Sequence, residues 1–202
     1  MSALRAGTLL AALLGSALVA CAPGGSRTEA PPPGEEADHA IYDAILDARV
    51  FDEESVIRRY VVVDSTVGNP PQSVGFASAL VVHQFVPRLG GFVAAALPDL
   101  HARNRQRFAV RTSALRSASA GPAIPPVHTT PEQRGEFWRQ FHDRFPGEGG
   151  PIAFTRPGFS PGGRHALVLV VDYDGGSGRV GYVLLERGVH WTVLHAVVLA
   201  RS

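Results

Sequence analysis

Lysine is missing from this 202-residue chain, so all 19 basic side chains are arginine. Set against 18 Asp and Glu they leave a formal charge of only +1. The arginine-only habit reads as the composition bias of a GC-rich genome. A near-neutral protein with dispersed arginines has no electrostatic footprint for nucleic acid or for an anionic membrane surface. Cysteine occurs once, at Cys21, which excludes an intrachain disulfide and any cysteine-based metal cluster. The apolar run from Gly7 to Ala20 falls short of the roughly 18–20 residues that a membrane-spanning helix needs. What the chain does have is 45% apolar and 18% charged residues, enough for one globular domain with a real core. Its 22 Gly and 16 Pro point to short strands and tight turns.

Residues 1–21 carry one positive charge at Arg5, then the apolar run, then small residues before Cys21. This is the layout of a secretory signal peptide. Leu18-Val19-Ala20-Cys21 resembles the lipobox of bacterial lipoproteins. That resemblance implies cleavage after Ala20, diacylglycerol on the Cys21 thiol and acylation, for example with palmitate, of the new amino group. Several acyl chains together anchor stably where one does not. Losing Arg5 would leave 18 Arg against 18 acids, a charge of zero. Ala22 stands where an Asp would mark inner-membrane retention in enteric bacteria, so the expected address is the outer membrane, facing the periplasm. Residues 21–37, the lipidated cysteine with its Pro-, Gly- and Glu-rich sequel, read as a solvated tether, and residues 38–202 as a single globular domain.

The domain reads as α+β. Asp38 is the expected N-cap of an amphipathic helix over about 39–51, and Val56 to Thr66 reads as a buried strand ending in Asp64, Ser65 and Thr66. Residues 67–97 have no clean pattern. Pro98-Asp99 is expected to open a short helix, and residues 117–126 a surface loop. Thr130-Pro131-Glu132-Gln133 is a capping box, so a helix should span about 131–144, carrying the aromatic stripe Phe137, Trp138, Phe141 and Phe145. From about 152 to 200, β-branched and aromatic segments are cut by Gly, Pro and Ser, which predicts an antiparallel four-strand meander. In its last strand Trp191, Val193, His195, Val197 and Leu199 should share one face. The N-terminal helix and the aromatic helix are expected to cover this sheet.

FWRQFHDRFPGEGG, IAFTRPGFSPGGRHALVLVVDY and GYVLLERGVHWTVLHAVVLARS together resemble a group of uncharacterised bacterial secreted proteins and lipoproteins. The shared pattern is FW-x-x-F before a Pro-Gly helix end, an S-R-x-G-F strand, an A-L-V strand, a glycine-rich turn and a G-x-W-x-V hairpin, over roughly the last 70 residues. Thr155 replaces the usual Ser. Asp172, Asp174 and glycines stand where members often carry a cysteine pair, and His190 sits in the last turn. The resemblance implies a fold and an address but no activity.

No complete catalytic or metal-binding set emerges. The eight histidines form neither H-x-x-x-H nor H-E-x-x-H, and each is expected to be structural or superficial. Asp172-Tyr173-Asp174 begins like a calcium loop, but position twelve is Val183. Arg156, Asp172 and Asp174 are the candidates for a polar functional or structural site, with Arg156 expected to pair with Glu136 or Asp143. No cofactor or metal is implied. The leading reading is a non-enzymatic binding domain in the cell envelope, touching the membrane through Cys21 and meeting an envelope protein partner. The alternatives are a hydrolase built on Asp64, Ser65 and His83, and a carrier of a small apolar ligand.

Overall fold

The computed structural model describes residues 34–50, 60–68, 87–116, 118–121, 130–174 and 177–201. Cys21, most of the tether and His83 lie outside them. In chain order the elements are α1 (Glu35–Ala48), β1 (Tyr60–Val63), α2 (Pro87–Arg103), a 3-10 turn (Thr112–Ala114), β2 (Ala118–Gly121), α3 (Pro131–Arg144), β3 (Pro151–Phe154), β4 (Gly158–Phe159), β5 (His165–Asp174), β6 (Ser177–Arg187) and β7 (Trp191–Arg201). The α+β reading holds.

The sheet runs β2-β1-β3-β5-β6-β7, with β4 also paired to β5. Its C-terminal half is antiparallel, as the Gly-cut segments require. Its N-terminal edge is parallel, because β1 pairs with both β2 and β3 in that sense. Strand β2 falls inside the expected 117–126 loop. A glycine at its end permits the pairing: a Cβ on Gly121 would collide with the Val61 side chain.

Alternation along the strands divides the sheet between two cores. Ala166, Val168, Val170, Val183 and Leu185 meet Ile41, Tyr42, Ile45 and Leu46 of α1. Leu167, Leu169, Tyr182 and Leu184 meet Val93, Ala96, Leu97 and Leu100 of α2. Further along that second face, Trp138 and Phe141 of α3 cover Val61.

Helix α2 overturns two expectations. It starts eleven residues before Pro98 and runs through it. Gly90, Val93, Ala96, Leu97 and Leu100 form a buried helical stripe, and Pro98 lies on the exposed side, where a missing N–H costs least. Burial of the stripe outweighs the Gly and Pro penalties. Helix α1 also starts early, with Gly34 rather than Asp38 at the N-cap. The capping box of α3 forms: the Thr130 hydroxyl accepts from Gln133 N at 3.3 Å, and the Gln133 side chain accepts from Thr130 N at 3.1 Å.

In β7 the single-face reading fails. Bulges at Val180/Gly181 and Leu184/Leu185 shift the register, so Trp191 and Val193 pack on the α1 side while Val197 and Leu199 pack on the α2 side. An extra residue in one strand inverts every side chain beyond it.

The segment IAFTRPGFS, expected as one strand, is broken. β3 and β4 both pair with β5, and Thr155, Arg156 and Pro157 lie between them outside the ladder. At Gly158 a Cβ would collide with the backbone of Leu100, so α2 presses directly on β4. Gly158→Ala is expected to cost about 1–3 kcal/mol by overpacking, read as a lowered urea midpoint. Unchanged stability would show that α2 does not sit against β4.

Candidate functional site

Asp38 belongs to the apolar stripe of α1. It stands three and four residues before Ile41 and Tyr42, so helical spacing carries it toward the sheet with them. It is only 3% exposed. A carboxylate there must find cations or be neutralised. It finds two, both beside the break between β3 and β4. Arg103, in the last turn of α2, donates from Nη2 to Oδ1 and Oδ2 at 3.0 and 3.2 Å. Arg156, inside the break, donates from Nε to Oδ2 at 2.8 Å. Burial pushes the Asp38 carboxyl above its ordinary range, and the two guanidiniums oppose that push.

Arg103, together with Tyr42 and Asn104, also satisfies the broken strand. Thr155 N donates to Leu169 O at 3.0 Å, the remnant of the ladder. Thr155 O accepts from the Tyr42 hydroxyl at 3.2 Å. Arg156 N donates to Asn104 Oδ1 at 2.7 Å, and Arg156 O accepts from Asn104 Nδ2 at 2.8 Å. Pro157 has no N–H, and its carbonyl accepts from Arg103 Nη1 at 2.7 Å. Each backbone donor and acceptor of the tripeptide is therefore paired, as buried backbone requires. Burial, reinforced by Asp38, pushes the Tyr42 hydroxyl upward, so it stays a donor and is no candidate base.

Beside this cluster lies a pocket of about 280 Å³, lined by Glu35, Asp38, His39, Tyr42, Thr66, Phe108, Ala109, Val110 and Arg156. The Arg156 guanidinium sits over the Phe108 ring, 4.6 Å from its centroid. Thr66 is committed elsewhere: its hydroxyl accepts from Phe108 N at 2.8 Å.

Arg156 thus lies at a polar site, but its partner is Asp38, not Glu136 or Asp143 of α3. Glu136 instead pairs with Arg139 on the same helix. Asp172, 2% exposed, accepts from Arg179 Nε at 3.0 Å across the β5–β6 hairpin. It stands in register with Ile152, away from the strand break. Asp174 stands opposite Ser177 at the hairpin end. The structure therefore does not bring Arg156, Asp172 and Asp174 into one site. Arg103 and Asn104 complete the cluster, and nothing in their own stretch of sequence singles them out. Asp38 does carry a signal: its spacing to Ile41 and Tyr42 marks a carboxylate on a buried face, which the expectation of an N-cap there overlooks.

Of the hydrolase set, Asp64 is exposed, Ser65 bridges Ala109, and His83 lies outside the described residues. Among the described residues no three His, Cys, Asp or Glu side chains converge as a metal site, and no helix is long and apolar enough to cross a membrane. Most of the sheet is covered by α1 on one face and by α2 and α3 on the other, while β7 stays half-buried beside an open groove of about 1150 Å³ between α1 and the β6–β7 turn. Comparison of the chain with protein-family models, curated proteins and solved structures returned no match.

Removing one member of a buried ion cluster strands the others, at about 3–5 kcal/mol. Asp38→Ala is expected to cost that much in chemical denaturation. Asp38→Asn, which keeps an acceptor oxygen, should cost less, and Arg156→Ala less than Asp38→Ala because Arg103 still serves the carboxylate. Equal stability of Asp38→Ala and wild type would refute the cluster's structural role. His165 gives a pH test. Its ring is buried and stacks on Phe92 with centroids 3.9 Å apart. Burial lowers its pKa from the ordinary 6.5, with Glu186 opposing and Arg164 assisting. The unfolded chain then binds the proton more readily, so this contribution is present above about pH 6.5 and is lost as pH falls toward the folded value. His165→Gln should flatten that part of the stability–pH curve relative to wild type.

Proposed function

We propose that this chain is a lipid-anchored protein of the bacterial cell envelope, held at the outer membrane facing the periplasm, whose globular domain binds a ligand or partner without transforming it. Arg156 carries the binding part of this reading. Its Nε is held by Asp38 and its face by Phe108, yet its terminal nitrogens make no hydrogen bond among the described residues, and the residue lines the pocket. An arginine needed only to neutralise Asp38 would have no reason to line a pocket with its donors unspent, since Arg103 already grips both carboxylate oxygens.

The anchor rests on the sequence: Arg5, the apolar run to Ala20, Leu18-Val19-Ala20-Cys21, and a Pro- and Gly-rich spacer ahead of α1 at Glu35. The resemblance of the last 70 or so residues to bacterial secreted proteins and lipoproteins agrees with that address.

Both parts can be tested. Labelling with radioactive palmitate should mark the wild type and leave Cys21→Ser unmarked, with the variant released from membranes; label retained by the serine variant would overturn the anchor. Native mass spectrometry of protein extracted from its own membranes should show a retained mass that Arg156→Lys loses. A wild type with neither a retained mass nor a reproducible cross-linked partner would overturn the binding reading.

A further inference from the structure

The pocket at the first turn of α1 has one chemical feature that selects among ligands. Arg156 spends Nε on Asp38 at 2.8 Å and lies over Phe108 at 4.6 Å. These two contacts fix the plane and direction of the guanidinium. The remaining edge, Nη1 with Nη2, is a planar pair of donors, and the side chain is 22% exposed. Such a fork matches the two oxygens of a carboxylate in bidentate geometry. Because the fork is held before any ligand arrives, little rotamer freedom is lost on binding.

Charge sets the valence. Asp38 against Arg103 and Arg156 leaves one positive charge. Glu35 at the pocket wall is paired with Arg111 at 3.1 Å. One net positive charge suits a monoanion better than a phosphate dianion. Of the remaining walls, Tyr42, Phe108, Ala109 and Val110 are aromatic or aliphatic and only His39 and Thr66 are polar, which suits an apolar body behind the acid group. The volume of about 280 Å³ limits that body to a small molecule.

We infer that this pocket binds a small organic monocarboxylate, held end-on by the Nη1–Nη2 fork of Arg156 with its apolar part against Phe108 and Val110. This rests on the binding reading above and gives it a ligand class.

The experiment is isothermal titration of the full-length protein in detergent with benzoate, with benzamide as its neutral counterpart and with inorganic phosphate. Benzoate should bind with one-to-one stoichiometry, and benzamide should give no saturable heat. Arg156→Lys keeps a cation beside Asp38 but loses the fork, and should weaken benzoate at least about tenfold. Should the lysine variant fail to fold, the wild type alone still decides. Phenylglyoxal followed by peptide mapping should modify Arg156, and benzoate but not benzamide should protect it. Benzoate that neither titrates nor protects, or that binds Arg156→Lys as well as wild type, overturns the proposal. Phosphate bound in preference to benzoate overturns the carboxylate class while leaving a binding site at Arg156. If no anion binds but membrane-extracted protein retains a mass that depends on Arg156, the carboxylate proposal fails and the binding reading survives.

Discussion

A carboxylate on the buried stripe of a helix is an electrostatic liability that the surrounding chain must answer, and here the answer joins the parts of the domain. Asp38 projects from α1 on one face of the sheet. Arg103 comes from the end of α2, whose stripe packs on the other face. Arg156 comes from the strand break between them. A continuous strand would have used residues 155–157 in the ladder with β5. The break frees their backbone groups, and Tyr42, Asn104 and Arg103 take them up. Arg103 serves both the ion cluster and the backbone repair, so the two are coupled through it. Coulomb attraction in such a site about offsets desolvation. Its effect is therefore one of specification: α1, α2 and the break have one mutual arrangement in which no charge is stranded.

Within that arrangement the two arginines are not equivalent. Arg103 is used up: Nη2 grips both oxygens of Asp38, Nη1 holds Pro157 O, and the guanidinium lies 4.9 Å from the Phe159 centroid. Arg156 needs only Nε for the same carboxylate. The Asp172–Arg179 pair offers a comparison within the molecule. It joins directly opposed residues of one hairpin, a local cross-strand contact of the kind that fixes register. The Asp38 cluster instead gathers residues from widely separated parts of the chain and borders a pocket.

Much of the fold is legible where the signal is local. The capping box at Thr130 and Gln133 marks the start of α3 because all its partners lie within four residues. The hairpins of β5, β6 and β7 follow from Gly-rich turns between β-branched runs. Legibility fails where distant packing overrides local preference. Gly90-Gly91 and Pro98 argue against a helix, yet a stripe from Gly90 to Leu100 buried on the sheet carries α2 through them. Ser119, Ala120 and Gly121 read as loop because nothing nearby says that β1 lies parallel beside them. The bulges in β7 are likewise invisible in an alternation count. The site is only half legible. Arg156 stands out as a cation in an apolar segment, but a partner 118 residues away cannot be picked from sequence over the nearer acids of α3.

The position of the pocket bears on the proposed anchor. Glu35, Asp38 and His39 belong to the opening turns of α1, so the pocket lies where the chain enters the domain. On the lipidated reading, the residues between Cys21 and Glu35 are the whole connection to the membrane. The pocket would then lie on the side of the domain where the tether enters. β7 and the β6–β7 turn, with Val189 almost fully exposed, also approach α1. The start of α1, the pocket and an exposed hairpin thus share one region of the domain, whereas the aromatic helix α3 packs on the opposite face of the sheet and serves the core.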